Sequence, residues 1–156
     1  MLRALAESST EQIVTIDIRM LASGDREILN NVAPGVFDNS IDPLLVDQFL
    51  TDPRHHLAVA IDDGQLVGFA SGVHYVHPDK PSAMWINEIG VAPTHQGRGI
   101  GKTILQALLE HAKHLGCHEA WVLTDRSNAR AMRLYASAGG DEPREQMMFT
   151  FFLEPQ

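Results

Sequence analysis

The sequence predicts a mixed α/β domain built on one sheet, with elements in the order βααβββαβαβ, and three observations carry that reading. Short segments rich in Ile, Val, Phe and Ala are bounded by Asp-Gly and Pro-containing turns, as strands are. Segments between them repeat apolar residues at helical spacing. A glycine-rich run, Gln96-Gly97-Arg98-Gly99-Ile100-Gly101, joins one such strand directly to one such helix.

Taken in order, Gln12 to Met20 alternates Ile and Val with polar residues and reads as the first strand. A helix should start near Ser23, whose hydroxyl can cap it, and break at Pro34-Gly35. Asp42-Pro43 pairs a cap with a first-turn proline and opens a second short helix that stops before Asp52-Pro53. Leu57 to Ile61 and Leu66 to Val76 flank Asp62-Asp63-Gly64-Gln65, a hairpin signal, and Trp85 to Val91 can pair next. Beyond the glycine run, Ile104, Leu105, Leu108, Leu109, Ala112 and Leu115 fall on one helical arc that Gly116 ends. Ala120 to Thr124 is a fifth strand, Asn128 to Ala138 a helix stopped by Gly139-Gly140, and Gln146 to Leu153 a last strand. A crossover through the helix after Gly101 should leave strands four and five splayed at their C-terminal ends.

The glycine run reads as a phosphate cradle. Glycines at alternating positions remove side chains from the approach, so backbone N–H groups can face an anion, and the next helix adds its N-terminal dipole. Two other phosphate motifs fail by a residue each. A Walker A loop ending at Gly101-Lys102-Thr103 needs glycine where Gln96 stands, and a dinucleotide G-x-G-x-x-G begun at Gly97 or Gly99 meets Lys102 or Ile104. What remains, Q-x-x-G-x-G after Val91-Ala92-Pro93, resembles the acetyl-coenzyme A signature of the Gcn5-related N-acetyltransferase (GNAT) superfamily.

That resemblance implies a GNAT fold and acetyl-CoA as cosubstrate. It implies that Ile89, Gly90 and Val91 of strand four hold the cofactor together with Gln96, Gly97, Arg98, Gly99, Ile100, Gly101 and Lys102. A second block, Asn128 to Tyr135, resembles the family's N-x-x-A-x-x-x-Y. Asn128, Ala131 and Tyr135 are accordingly expected at the cofactor. Tyr135 lies two turns after Asn128 on the same face and would protonate the leaving thiolate. Left to itself, Tyr135 reads first as a half-buried core aromatic with a wet hydroxyl, and it is the glycine loop and Asn128 that turn the reading towards an acid.

Glu88 interrupts the apolar run Met84 to Val91. Simple alternation places it on the same side as Ile86 and Gly90, facing a cleft where it could take a proton from an ammonium directly or through water. An exposed strand residue paired across the sheet is the alternative. Four aspartates, Asp38, Asp42, Asp47 and Asp52, follow one another with no Lys or Arg between them, in the segment that lines acceptor sites in the resembled family.

Composition fits a single domain across all 156 residues, with its core at about 12–153. With 44% hydrophobic and 21% charged residues the chain can bury roughly 70% of its unfolded surface. Twelve Lys and Arg against 20 Asp and Glu leave a net charge of −8, unfavourable for nucleic acid and favourable for a cationic partner. Met1 to Gln12 is polar, no stretch approaches the ~20 apolar residues of a membrane span, and the lone Cys117 cannot close an internal disulfide. A cytoplasmic enzyme without membrane partners is expected. Cys117 has no motif around it and reads as filler, and His111, His114 and His118 read as a polar helix edge rather than a metal site.

Within the superfamily, Ile13 to Leu153 most resembles the small aminoglycoside 3-N-acetyltransferases. Glu88, Leu123-Thr124-Asp125, Leu134-Tyr135 and the short acidic link Asp141 to Glu145 carry that likeness. It implies transfer of acetyl to an aminoglycoside amine by direct attack in a ternary complex, with Asp38, Asp42, Glu88, Asp125, Asp141 and Glu142 gathering ammonium groups, and a possible homodimer. Gly140 stands where an aromatic is common and Gln96 where many members have arginine; neither removes a backbone amide. Acetylation of a protein N-terminus, a lysine or a small metabolite amine uses the same motifs, and a non-catalytic acetyl-CoA-binding module is the alternative from another class.

Overall fold

The structure, a computed structural model, describes residues 15–141 and 147–153. It divides into two compact units, one ending at Leu123 and one beginning at Thr124. The first holds a five-stranded sheet in the order β1-β2-β3-β4-β5, with β1 Asp17–Met20, β2 His55–Asp62, β3 Gln65–Tyr75, β4 Ala83–Val91 and β5 Glu119–Val122. Pairing is antiparallel from β1 to β4 and parallel between β4 and β5. The predicted mixed sheet is therefore present, up to the fifth strand.

β2 and β3 form the predicted hairpin. Asp62 pairs with Gln65 across a two-residue turn in which Asp63 (φ 47°) and Gly64 (φ 75°) are both left-handed, as the twist of a type I′ hairpin requires. Both strands are buried on both faces through most of their length, which is why they read as continuous apolar runs. One face is covered by α2, Ile100–His114, whose Ile104, Leu105, Leu108 and Ala112 are buried. The helix approaches closely at Gly68, where an added methyl would stand 2.9 Å from Ile104 Cδ1. Leu115, predicted on the same arc, caps the helix and is 36% exposed.

The opposite face carries a 3-10 helix, Ser23–Asn30, and α1, Pro43–Thr51. The first of these corrects the predicted α-helix. Ser-Gly-Asp at its start and Asn at its end are weak α-formers, so the tighter turn prevails. Its cap is also different, for Asp25 reaches back to accept from the Ala22 amide at 2.8 Å and Ser23 makes no cap. α1 starts as expected, with Asp42 Oδ1 accepting from the Leu44 amide at 2.9 Å and Pro43 in the first turn.

The second unit contains α3, Ala129–Ser137, capped by Asn128 and ended by Gly139 at φ 90°. The predicted last strand is not formed over 147–153, where Met147, Met148, Phe149, Phe151, Phe152 and Leu153 are all exposed. Alternation and β-propensity describe a segment able to pair, but a strand exists only through the ladder with a neighbour. No described strand pairs with these residues. Of the first predicted strand, positions 12–14 lie outside the described residues, as does Gln146 of the last.

Candidate active site

The glycine run forms the turn into α2, with Gly101 already inside the helix. Ala92 is fully buried and its amide donates to Val67 O at 2.8 Å, after which Pro93–His95 makes one 3-10 turn. Gly97 (φ 75°) and Gly99 (φ 79°) are both left-handed, and a Cβ on either would meet no atom within 4 Å. Protein packing therefore does not demand glycine at either position; the backbone path does. Gly99 is the N-cap of α2, and the ladder begins with the Thr103 amide donating to Gly99 O at 3.1 Å. The amides of Ile100, Gly101 and Lys102 thus open a 15-residue helix ahead of its first backbone bond, with Arg98 and Lys102 adding positive charge. This is a donor set that fits a pyrophosphate. The Gln96 carboxamide ties the loop down, donating to Val91 O at 2.9 Å.

β4 leads into that loop with one edge open. Its parallel pairing with β5 runs only from Ala83↔Glu119 to Ile86↔Val122, while β3 stays paired with β4 as far as Val91. Among the described residues, the backbone of Ile89, Gly90 and Val91 therefore has a partner strand on one side only, the predicted splay. Gly90 is required by packing, because an added Cβ would lie 2.3 Å from Val36 O and 2.7 Å from Phe69 Cε1.

A β-bulge moves Glu88. Ser71 pairs with Glu88 but the next residue of β3, Gly72, pairs with Ile86, leaving Asn87 as the extra residue on β4. Glu88 and Ile86 consequently face opposite sides of the sheet, against the simple alternation expected; Ile86 is buried and Glu88 exposed. Both Asn87 and Glu88 line a cavity of about 330 Å³ on the face bearing α1, walled by Leu29, Phe37, Ile41, Leu45, Val46, Phe49, Leu57 and Phe69 and carrying Asp38, Asp42 and Ser71. Phe37 and Phe69 stack at 4.0 Å between ring centres, 16° from parallel. Partial desolvation where it lines the cavity, and then the neighbouring charge of Asp38, push the Glu88 carboxyl above its ordinary value. A carboxylate raised in this way is a better proton acceptor at neutral pH.

The aspartate run separates into different tasks. Asp42 lines the cavity while capping α1, Asp47 pairs with Arg26 at 3.0 Å, and Asp52 forms a two-bond pair with Arg54, at 3.0 and 2.7 Å. Asp38 is the member left with its charge beside Glu88.

The remaining sequence-predicted residues belong to the second unit. Asp125 Oδ1 accepts from the Ser127 amide and hydroxyl, at 2.8 and 2.7 Å, and these bonds lower its carboxyl pKa. Asn128 Oδ1 accepts from the Ala131 amide at 3.1 Å, so its oxygen caps α3. Tyr135 is half-buried, and burial raises its phenol pKa, keeping it protonated. Asp141 is exposed, and Glu142 lies outside the described residues.

Two histidine arrangements were not anticipated from sequence. His111, expected on a polar helix edge, bonds through Nε2 to His56 Nδ1 at 3.0 Å, and His56 Nε2 meets His74 Nδ1 at 2.7 Å. His56 is buried, and desolvation, followed by the charges of His111 and His74, depresses its pKa to about 4. His118 follows the helix rather than lying on it. The second is His95 Nε2 on Asp62 Oδ2 at 2.8 Å, from the turn before the glycine loop to the β2–β3 hairpin. Pairs 18, 33 and 55 residues apart leave no local signal.

A model of the Acetyltransferase (GNAT) family matches residues 26–139, and the chain belongs to that family. It is 36% identical over 104 residues to the N-alpha-acetyltransferase RimI of Mycobacterium tuberculosis, a stretch covering 67% of this chain and 63% of that protein. With the mycothiol acetyltransferase of Pseudarthrobacter chlorophenolicus it shares 34% identity over 89 residues, 56% of this chain and 28% of the relative. The chain thus spans less than two thirds of either. Among solved structures, an aminoglycoside acetyltransferase, meta-AAC0020, from an uncultured soil metagenomic sample in complex with sisomicin has the same fold. Its TM-score is 0.77 at 19% identity, covering 89% of this chain and 97% of that one.

Proposed function

We propose that this chain is an acetyl-CoA-dependent N-acetyltransferase whose acceptor is a cationic amine, and that the acceptor is an aminoglycoside acetylated at a ring amine, the 3-N position. The observation that carries the reading is the set of three carboxylates, Asp38, Asp42 and Glu88, in one largely apolar cavity, with Glu88 on the strand that leads into the phosphate cradle. An ammonium is attracted by the negative charges there, and Phe37, backed by the buried Phe69, and nearby Phe49 add aromatic surface for a cation.

Bound acetyl-CoA supplies an activated acetyl carbonyl. The amides opening α2, with Arg98 and Lys102, hold its phosphates, and the open edge of β4 offers backbone groups to the arm between phosphate and thioester. Glu88 accepts a proton from the ammonium and frees the nitrogen lone pair for direct attack. Tyr135 is the proposed donor to the departing sulfur, and its raised pKa supports that role because the phenol keeps its proton until it is needed. No covalent enzyme intermediate is involved.

A second acceptor, the α-amine of a protein, is favoured by the likeness to RimI and by the apolar approach at α1, where Leu44 and Leu45 are 72% and 61% exposed. Release of free thiol from acetyl-CoA, measured with gentamicin, with peptides bearing a free α-amine and with a lysine peptide blocked at its N-terminus, separates the readings. Turnover of gentamicin supports the aminoglycoside reading. Turnover of α-amine peptides alone replaces it, and release with no acceptor in the panel removes the amine assignment.

A further inference from the structure

The turn that feeds the cradle, Pro93–His95, is anchored by more than its own backbone. The His95 ring lies between two partners, with Nδ1 2.8 Å from Thr94 Oγ1 and Nε2 2.8 Å from Asp62 Oδ2. Both members of the longer contact are largely buried, their side chains 16% and 15% exposed. Asp62 closes β2 at the hairpin turn, so the contact crosses 33 residues to tie the β2–β3 corner to the loop entrance. The other carboxylate oxygen, Asp62 Oδ1, is buried and has no hydrogen-bond partner among the described residues. His95 is therefore the hydrogen-bonding group that compensates the burial of this carboxylate.

We propose that the Asp62–His95 pair is a positioning device for the phosphate cradle, fixing the turn that enters the glycine loop and so setting how tightly the loop grips a pyrophosphate. The proposal rests on the acetyl-CoA reading above. The loop can serve as an anion site only if its amides are held in place before the ligand arrives, since glycines at 97 and 99 give it wide conformational freedom. Gln96 holds its start to the end of β4, and the Ala92 amide holds the chain to β3. The His95 side chain is the tie between them to β2. Its chemistry suits a fixed tie. Nε2 donates to the carboxylate whether the ring is neutral or protonated, and Nδ1 can accept from the Thr94 hydroxyl in the first state or donate to it in the second.

The test is calorimetric binding of coenzyme A to the full chain, with steady-state kinetics alongside. His95→Ala and Asp62→Ala should each weaken coenzyme A binding about tenfold, the effect of losing one charge-assisted bond that holds the site. The double variant should lose little more than either single one, because both act through one contact. His95→Gln, whose amide nitrogen can replace Nε2, should recover most of the affinity. KM for acetyl-CoA should rise with these changes while kcat at saturating acetyl-CoA stays within about twofold, a split that general loss of structure does not produce. A folded His95→Ala variant that binds coenzyme A like the wild type overturns the proposal. If His95→Ala does not fold, Asp62→Asn decides: it keeps the side chain's size but weakens the contact, and unchanged affinity there overturns the proposal equally. Failure of the wild-type chain to bind coenzyme A is a different result and removes the acetyl-CoA reading instead.

Discussion

Replacing Gly90 by alanine should cost more stability than replacing either left-handed glycine of the cradle, although Gly90 has the less conspicuous backbone. A Cβ there would stand 2.3 Å from Val36 O and 2.7 Å from Phe69 Cε1. The first neighbour is a backbone oxygen, which cannot rotate away. Relief therefore requires moving the chain at Val36 and with it Phe37, which stacks on Phe69. Overpacking of this kind costs about 3 kcal/mol, at the upper end of the usual range. For a domain of this size that lowers Tm by about 6–12 °C. At Gly97 and Gly99 an added methyl meets nothing within 4 Å, and only the left-handed backbone is penalised, by about 1 kcal/mol or 2–4 °C. Coenzyme A binding should follow the reverse order, with Gly97→Ala and Gly99→Ala weakening it and Gly90→Ala acting through the fold. Thermal unfolding by circular dichroism and calorimetry of each variant measure the two effects. If Gly90→Ala melts within 2 °C of the wild type, a limit set well inside the expected shift, the close approach of Val36 to β4 is not what requires glycine there.

Three further outcomes are expected. Tyr135→Phe should lower kcat by about 10² to 10⁴ with coenzyme A affinity intact, and wild-type kcat in that variant would return Tyr135 to a packing role. Asp38→Asn removes a negative charge beside Glu88, so the Glu88 pKa falls and the acid limb of kcat/KM moves to lower pH, while KM for a cationic acceptor rises; a limb that does not move separates the two carboxylates. His56 has a folded pKa of about 4, below the ordinary imidazole value of 6.5, so its neutral form stabilises the fold above that ordinary value and the contribution is lost as pH falls from about 6.5 towards 4. The gap caps the effect at about 3 kcal/mol and partial solvation reduces it to roughly 1–2 kcal/mol, so the Tm of His56→Leu should depend less on pH across that window than the wild-type Tm.

The elements that could be read from sequence are those whose cause is local. Asp42-Pro43 announced α1, Asp63-Gly64 the hairpin, and the glycine run the junction that opens α2. Each is decided within a few residues. The position of Glu88 was not, because a bulge at Asn87 is a property of the pairing between β3 and β4, and one extra residue reverses which face the next side chain takes. The aspartate run looked uniform but resolved into a cap that also lines the cavity, two arginine pairs and a second cavity charge at Asp38, since Arg26 lies outside the run and Arg54 beyond its end. The histidine contacts and the absence of a ladder at 147–153 depend likewise on residues distant in the chain.

The most direct measurement of the central claim is thiol release from acetyl-CoA by the wild-type chain and by Glu88→Gln, with a cationic amine as acceptor, beside calorimetric binding of coenzyme A to both. If the cavity carboxylate is the base, the wild type turns over, Glu88→Gln loses about 10²-fold or more in kcat, and both bind coenzyme A alike. An undiminished kcat in Glu88→Gln would contradict the assignment of that cavity as the place where the amine loses its proton.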